Sequence, residues 1–143
     1  MLIEQISVFV ENKLGRLAEI TDVLYKEGID IRALSIADTR DFGILRLIVN
    51  NPVAAERALK ADGATVSLTK VIGIGIPDEP GGLAHVMQAL NSSKISVEYM
   101  YAFLSKTDDI AYVILRVEDN EKAIEVLQEK GIKVLQKDEV YDM

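Results

Sequence analysis

Apolar residues alternate along Ile6, Val8 and Val10, the two-residue period of a strand with one buried face, and the polar stretch Glu11-Asn12-Lys13 ends it. Leu17, Ile20 and Leu24 then fall at helical spacing. They make one apolar stripe on a helix that Gly28 is placed to close in the left-handed conformation. Strand-like runs follow at 29–37 and 44–49, joined by the polar hairpin Asp38-Thr39-Arg40-Asp41-Phe42-Gly43. Asn51-Pro52 opens a second helix as cap and first-turn proline, Gly63 ends it, and Val66 to Thr69 reads as a closing strand. The predicted order is β-α-β-β-α-β.

That order then repeats. At a single ungapped offset of 66, Ile6, Val8, Val10, Gly15, Leu17, Ala18, Ile20, Leu24, Ile29 and Ile31 fall on Ile72, Ile74, Ile76, Gly81, Leu83, Ala84, Val86, Leu90, Ile95 and Val97. The second half predicts a strand to Ile76, a helix over 82–91, strands near 95–104 and 110–117, a helix over 121–130, Gly131 as its stop, and a final strand from Ile132. The offset grows to 68 at Gly63 and Gly131, which places a two-residue insertion near Glu118. The fold class is therefore α+β: two tandem ferredoxin-like βαββαβ units, each a four-stranded antiparallel sheet with both helices on one face. The expected domains are residues 1–69 and 70–143. Val66 to Ile76 is nearly continuous strand-like sequence, so no flexible linker is expected. Domains of about 70 residues bury only roughly 60% of their unfolded surface, which makes each half dependent on its neighbour.

Composition narrows the function classes. With 49% hydrophobic and 27% charged residues the chain is a packed globular protein, and with no cysteine it has no disulfide, thiolate metal site or cysteine nucleophile. The start, Met1-Leu2-Ile3-Glu4, lacks a signal-peptide pattern, and no apolar run approaches the roughly 20 residues of a membrane span. The expectation is a cytoplasmic protein without membrane contact. The net charge of −7 is spread over two acidic halves with no basic stripe, which argues against nucleic acid as a direct partner.

The candidate chemistry sits where the first strand of each half turns into its helix. The second such loop reads Ile76-Pro77-Asp78-Glu79-Pro80-Gly81-Gly82-Leu83-Ala84, and its counterpart is Val10-Glu11-Asn12-Lys13-Leu14-Gly15-Arg16-Leu17-Ala18. Gly81 and Gly82 let a ligand come close to the backbone, and the unpaired N–H groups of a first helical turn suit a carboxylate. Taken with the strand opening Gly28-Ile29-Asp30-Ile31, these loops resemble the ACT domain, a family of small regulatory modules that bind amino acids at interfaces between paired domains. The resemblance covers both halves. It implies a non-catalytic sensor of a free L-amino acid and a partner enzyme or regulator of amino-acid metabolism, with no cofactor expected.

The implied ligand-binding residues are Asn12, Leu14 and Gly15 in the first loop and Asp78, Pro80, Gly81 and Gly82 in the second. Asn12 or Asp78 would accept from the ammonium group, with Asp30 and Ser96 as further candidates across the seam between the repeats. Leu14 stands where the family prefers proline and Lys94 stands where the first half has Gly28, so one of the two pseudo-symmetric sites is expected to be vestigial. The occupied one is expected at Pro80-Gly81, facing Asp30 of the other repeat.

The remaining signals are weaker. Gly73-Ile74-Gly75 begins a dinucleotide fingerprint, but its third glycine would fall at Asp78, and these glycines read as thinning one strand face. His85, the only histidine, aligns with Glu19 on the polar side of a helix. Asp108-Asp109 reads as a solvated hairpin tip. On the face away from the helices, Ile110, Tyr112 and Ile114 form an apolar row, with Tyr99, Tyr101 and Phe103 as an aromatic stripe; Tyr112 aligns with Arg46 at offset 66. An apolar outer face predicts a homodimer or larger assembly, by sheet stacking or by pairing of strand edges. The rival functions are a ligand-free assembly module and an acylphosphatase-like enzyme; the latter would want a cationic cradle, which the second loop lacks.

Overall fold

The computed structural model describes residues 1–38, 40–105 and 107–143; Thr39 of the expected hairpin, like Lys106, lies outside the described residues. The chain forms two compact units, Glu4–Thr69 with Tyr141–Met143, and Met1–Ile3 with Lys70–Val140, called here the first and second unit. It is an α+β protein of two tandem ferredoxin-like units.

The first unit is built from β1 (Leu2–Glu11), α1 (Arg16–Lys26), β2 (Ile31–Asp38), β3 (Phe42–Val49), α2 (Pro52–Ala61) and the start of β4 (Thr65–Pro77). Its strand order is β2-β3-β1-β4, with β3 antiparallel to both neighbours. Val8 pairs with Leu45 and Ile6 with Leu47, so the alternation seen in the sequence points one row of each strand inward. That row meets Ile20 and Leu24 of α1 and Ala55 and Leu59 of α2 in one core. The helix ends follow the signals in the chain. The Asn51 side chain accepts from the Ala54 N–H at 3.2 Å, and Gly28 and Gly63 take φ of 68° and 88° just beyond the helices.

The second unit continues from residue 70 of β4 through α3 (Gly82–Ser92), β5 (Val97–Ala102), β6 (Ile110–Val117), α4 (Asn120–Glu129) and β7 (Lys133–Val134) to α5 (Lys137–Tyr141). The order is β5-β6-β4, with β7 paired to β4 at Ile74 and Gly75. Ile72, Ile74 and Ile76 face Val86, Leu90 and Leu127 in its core, and Leu2 packs against the same cluster. Lys94 has φ 58°, so a lysine holds the left-handed cap that Gly28 holds in the first unit.

Three features differ from expectation. The insertion is not near Glu118: β2 and β5 start 66 residues apart while β3 and β6 start 68 apart, which puts it in the β5–β6 hairpin. A hairpin tip absorbs two residues freely, whereas a strand interior would have to bulge. Tyr112, opposite Gly75, therefore corresponds to Ile44, opposite Phe9, and not to Arg46. Second, the closing strand is only 2 residues long, and a short helix follows that the polar run Gln136-Lys137-Asp138-Glu139 did not announce; its Val140 is fully buried. Third, the outer row of β6 is left in water at Ile110, 37% exposed, but not at Ile114. Ile114 is 0% exposed, and a Cβ on Gly73, which faces it, would stand 2.6 Å from Cδ1 of Ile3 and 3.2 Å from Cδ1 of Leu135. Ile3 and Leu135 occupy the space the glycine vacates.

Candidate functional site

The two loops fold alike, bond for bond. Asn12 N–H donates to the Asp41 carbonyl and Asp78 N–H to that of Asp109, both at 2.9 Å. Lys13 N–H donates back to Glu11 and Glu79 N–H to Pro77, again at 2.9 Å; Arg16 donates to Lys13 at 3.3 Å and Gly82 to Glu79 at 3.1 Å. The first helical bonds then run from Glu19 to Gly15 and from His85 to Gly81. Gly15 and Gly81 occupy the N-cap position with φ of 85° and 91°, and neither caps with a side chain. Leu17 and Ala18, and likewise Leu83 and Ala84, are first-turn residues whose N–H groups have no acceptor within the helix.

The glycines do different work. Nothing lies within 4 Å of the Cβ position of Gly15 or Gly81, so these two are required by the left-handed backbone and leave open space above it. Gly82 is different: its Cβ would collide with the Pro77 carbonyl oxygen, so its lack of a side chain closes the loop itself rather than admitting a ligand. Arg16 occupies the matching place in the first loop.

Around the first loop a cleft of about 220 Å³ opens, with Glu11, Asn12, Lys13 and Arg16 on its polar side and Leu17 and Ile36 on its apolar side. The Asn12 side-chain amide donates to the Arg40 carbonyl at 3.1 Å, which ties this loop to the β2–β3 hairpin. Arg16 is largely covered, 15% exposed, and its guanidinium meets Glu19 at 3.0 Å and Asp62 at 4.0 Å. Lys13 pairs with Glu11 at 3.6 Å in the open. The wall thus offers a fixed cation and helix N–H groups beside a carboxylate and an amide. That arrangement is complementary to a small zwitterion. Leu14 is fully solvent-exposed, and Pro80 is exposed in the second loop.

Asp30 and Ser96 stand elsewhere within their units. Each precedes the strand that follows the helix, so the 11 residues of α1 or α3, about 16 Å, separate it from its own unit's loop. The Asp30 carboxylate holds Arg32 Nη1 at 2.6 Å, while its backbone exchanges hydrogen bonds with Asn50. Arg32 Nη2 donates to the Tyr141 carbonyl at 3.0 Å, and the Tyr141 hydroxyl accepts from Glu4 N–H at 3.2 Å. Ser96 lines a broad groove of about 920 Å³ with Lys94, Glu98, Glu118, Asp119 and Lys122. Reading the sequence alone missed Lys13, Arg16, Leu17 and Ile36 as lining residues; the one available signal was Arg16, a cation at the mouth of the first helix where the second repeat has glycine.

Among the described residues no group of three His, Cys, Asp or Glu side chains is disposed to hold a metal ion, and no helix is long and apolar enough to cross a membrane.

Comparison with known proteins bears on the same elements. The family model described as "ACT domain pair" matches residues 1–143. Protein BT0572 from Bacteroides thetaiotaomicron, a crystal structure, is similar over 100% of this chain and 98% of its own, at 43% identity and a TM-score of 0.94. The regulatory subunit of aspartate kinase from Thermus thermophilus, in its ligand-free form, shares the fold at 18% identity and a TM-score of 0.63, over 89% of this chain and 91% of its own. That from Thermus flavus does so at 18% and 0.62, over 92% and 94%. No curated protein matches the chain.

Proposed function

Because the chain belongs to the ACT domain pair family, we propose that it is a non-catalytic regulatory protein whose first-loop cleft binds a free L-amino acid. The observation that carries this reading is the cleft itself: a zwitterion-sized opening of about 220 Å³ on a loop that the chain builds twice with the same hydrogen bonds. The α-carboxylate lies toward the Leu17 and Ala18 N–H groups and Arg16, and the ammonium toward Glu11 and Asn12. Leu17 and Ile36 then receive an apolar side chain. The cleft shifts the emphasis from the Pro80-Gly81 loop to the first one, where a cation is also present.

In this reading the signal is a difference in affinity between two states of the protein, passed to an enzyme or regulator of amino-acid metabolism. The fold shared with regulatory subunits of aspartate kinase supports that kind of output. A thermal-shift panel of the common L-amino acids, followed by calorimetry, tests it. At about 100 times the dissociation constant the bound amino acid stabilises the native state by roughly 2.7 kcal/mol. A panel with neither shift nor heat would replace this reading with the ligand-free assembly module.

A further inference from the structure

We infer that the first-loop cleft is specific for amino acids with a short aliphatic side chain, and that Ile36 sets the limit on its size; this rests on the amino-acid reading of that cleft. Beyond Glu11, Asn12 and Arg16, which suit the charged groups of a zwitterion, the cleft is walled by Val10, Leu17 and Ile36. Leu17 and Ile36 are 43% and 48% exposed, so each carries apolar surface that its own unit leaves uncovered. Single exposed apolar residues are ordinary, but these two border one cleft, and the hydrocarbon of a ligand would take both out of water together. A charged side-chain end against this wall would lose hydration and gain no partner from it. Lys13, the other cation lining the cleft, pairs with Glu11 at 3.6 Å.

Ile36 is placed and built to act as a gauge. On β2 it stands opposite Leu45, a core residue, so its side chain lies on the face of the sheet that carries the helices. Branching at Cβ restricts its χ1, and the wall holds its position where an unbranched side chain would swing aside. The cleft is also small. Its volume of about 220 Å³ lies below the roughly 300–1,000 Å³ of pockets that enclose drug-sized ligands, which leaves no room for an aromatic ring or a long chain beside the zwitterion. The repeat supplies an internal comparison. At the place of Ile36 the second unit has Ala102, opposite Val113, and at the place of Arg16 it has Gly82. Its loop keeps the hydrogen bonds of the first but neither the branched wall residue nor the cation, so this specificity belongs to the first unit alone.

Calorimetric titration of the full-length chain with the common L-amino acids tests the assignment. The parent is expected to bind valine or leucine at least about tenfold more tightly than glycine, phenylalanine, aspartate or lysine, since one methylene in an apolar pocket is worth about 10–200-fold. Ile36→Ala removes the limit, and the preference for leucine over phenylalanine should fall by at least about tenfold. Ile36→Phe works in the opposite direction and should keep alanine while losing leucine, whereas Ile36→Val retains the parent ranking. Leu34→Ala changes a residue of the same strand face that is 38% exposed and does not line the cleft, so it should leave the ranking alone. A ranking of ligands separates a wall of the cleft from a residue that only supports the fold. A parent that prefers a polar, charged or aromatic amino acid would overturn the assignment, as would a leucine-to-phenylalanine ratio that both Ile36→Ala and Ile36→Phe leave unchanged. A parent that binds no amino acid would overturn the amino-acid reading of the cleft, and the assignment with it.

Discussion

Gly15 and Gly81 stand at φ of 85° and 91° with open space above them, so their value lies in the backbone and not in the room they leave. Alanine at either position should cost about 1–2 kcal/mol of stability, measurable by urea unfolding. A branched residue such as valine would add strain to any effect on binding, which makes it a poor probe of the site. Arg16 is the cleaner one. Arg16→Gln keeps the stem and removes the charge, and should weaken amino-acid binding by about 1.5–3 kcal/mol in calorimetry while the unfolding transition stays close to that of the parent. Lys94 supplies the converse case. It holds the left-handed cap at φ 58° against its own steric preference, so Lys94→Gly should stabilise the protein by about 1 kcal/mol, and an unchanged midpoint would show that the cap strain is relieved elsewhere. The two loops were legible as glycine-bearing turns because φ > 0 has so few chemical solutions. The role of Gly82 was not, since the collision it avoids is with the carbonyl of Pro77, five residues back.

Elements were legible where one local signal decides them. Asn51 and Asp119 each accept from the N–H three residues on, at 3.2 Å and 3.1 Å, and replacing either by alanine should cost about 1 kcal/mol, read from the denaturation midpoint. Hydrophobic periodicity located both long helices of each repeat, because each must lay a stripe on one sheet face. It failed for α5, whose five residues carry a single inward side chain, Val140, and one residue has no period. Val140→Ala should still be costly, about 2 kcal/mol, since the side chain is 0% exposed. The insertion was misplaced for a related reason. Apolar alternation along β6 reads equally well at offsets 66 and 68, and only the ladder that sets Gly75 opposite Tyr112 distinguishes them.

At the scale of the molecule, the two units do not divide the chain at one point: Met1–Ile3 belongs with Lys70–Val140, and Tyr141–Met143 with Glu4–Thr69. A fragment beginning at Lys70 would lack Ile3, which is fully buried and lies against Gly73, and a fragment ending at Thr69 would lack the Tyr141 groups that bind Arg32 and Glu4. Expressed alone, each fragment should therefore unfold at lower denaturant than the intact chain, and equal midpoints would refute the dependence. From its own residues the sequence determined the repeat, the order of elements, the inward rows and the αL glycines, because these depend on periodicity and on backbone sterics acting over a few residues. The tertiary structure alone decided that Ile3 and Leu135 cover the outer face at Ile114, that Gly82 serves its own loop, and that Arg16 and Ile36 meet across a cleft. Those contacts join residues far apart in the chain, and no local pattern encodes which distant side chain will occupy a given space.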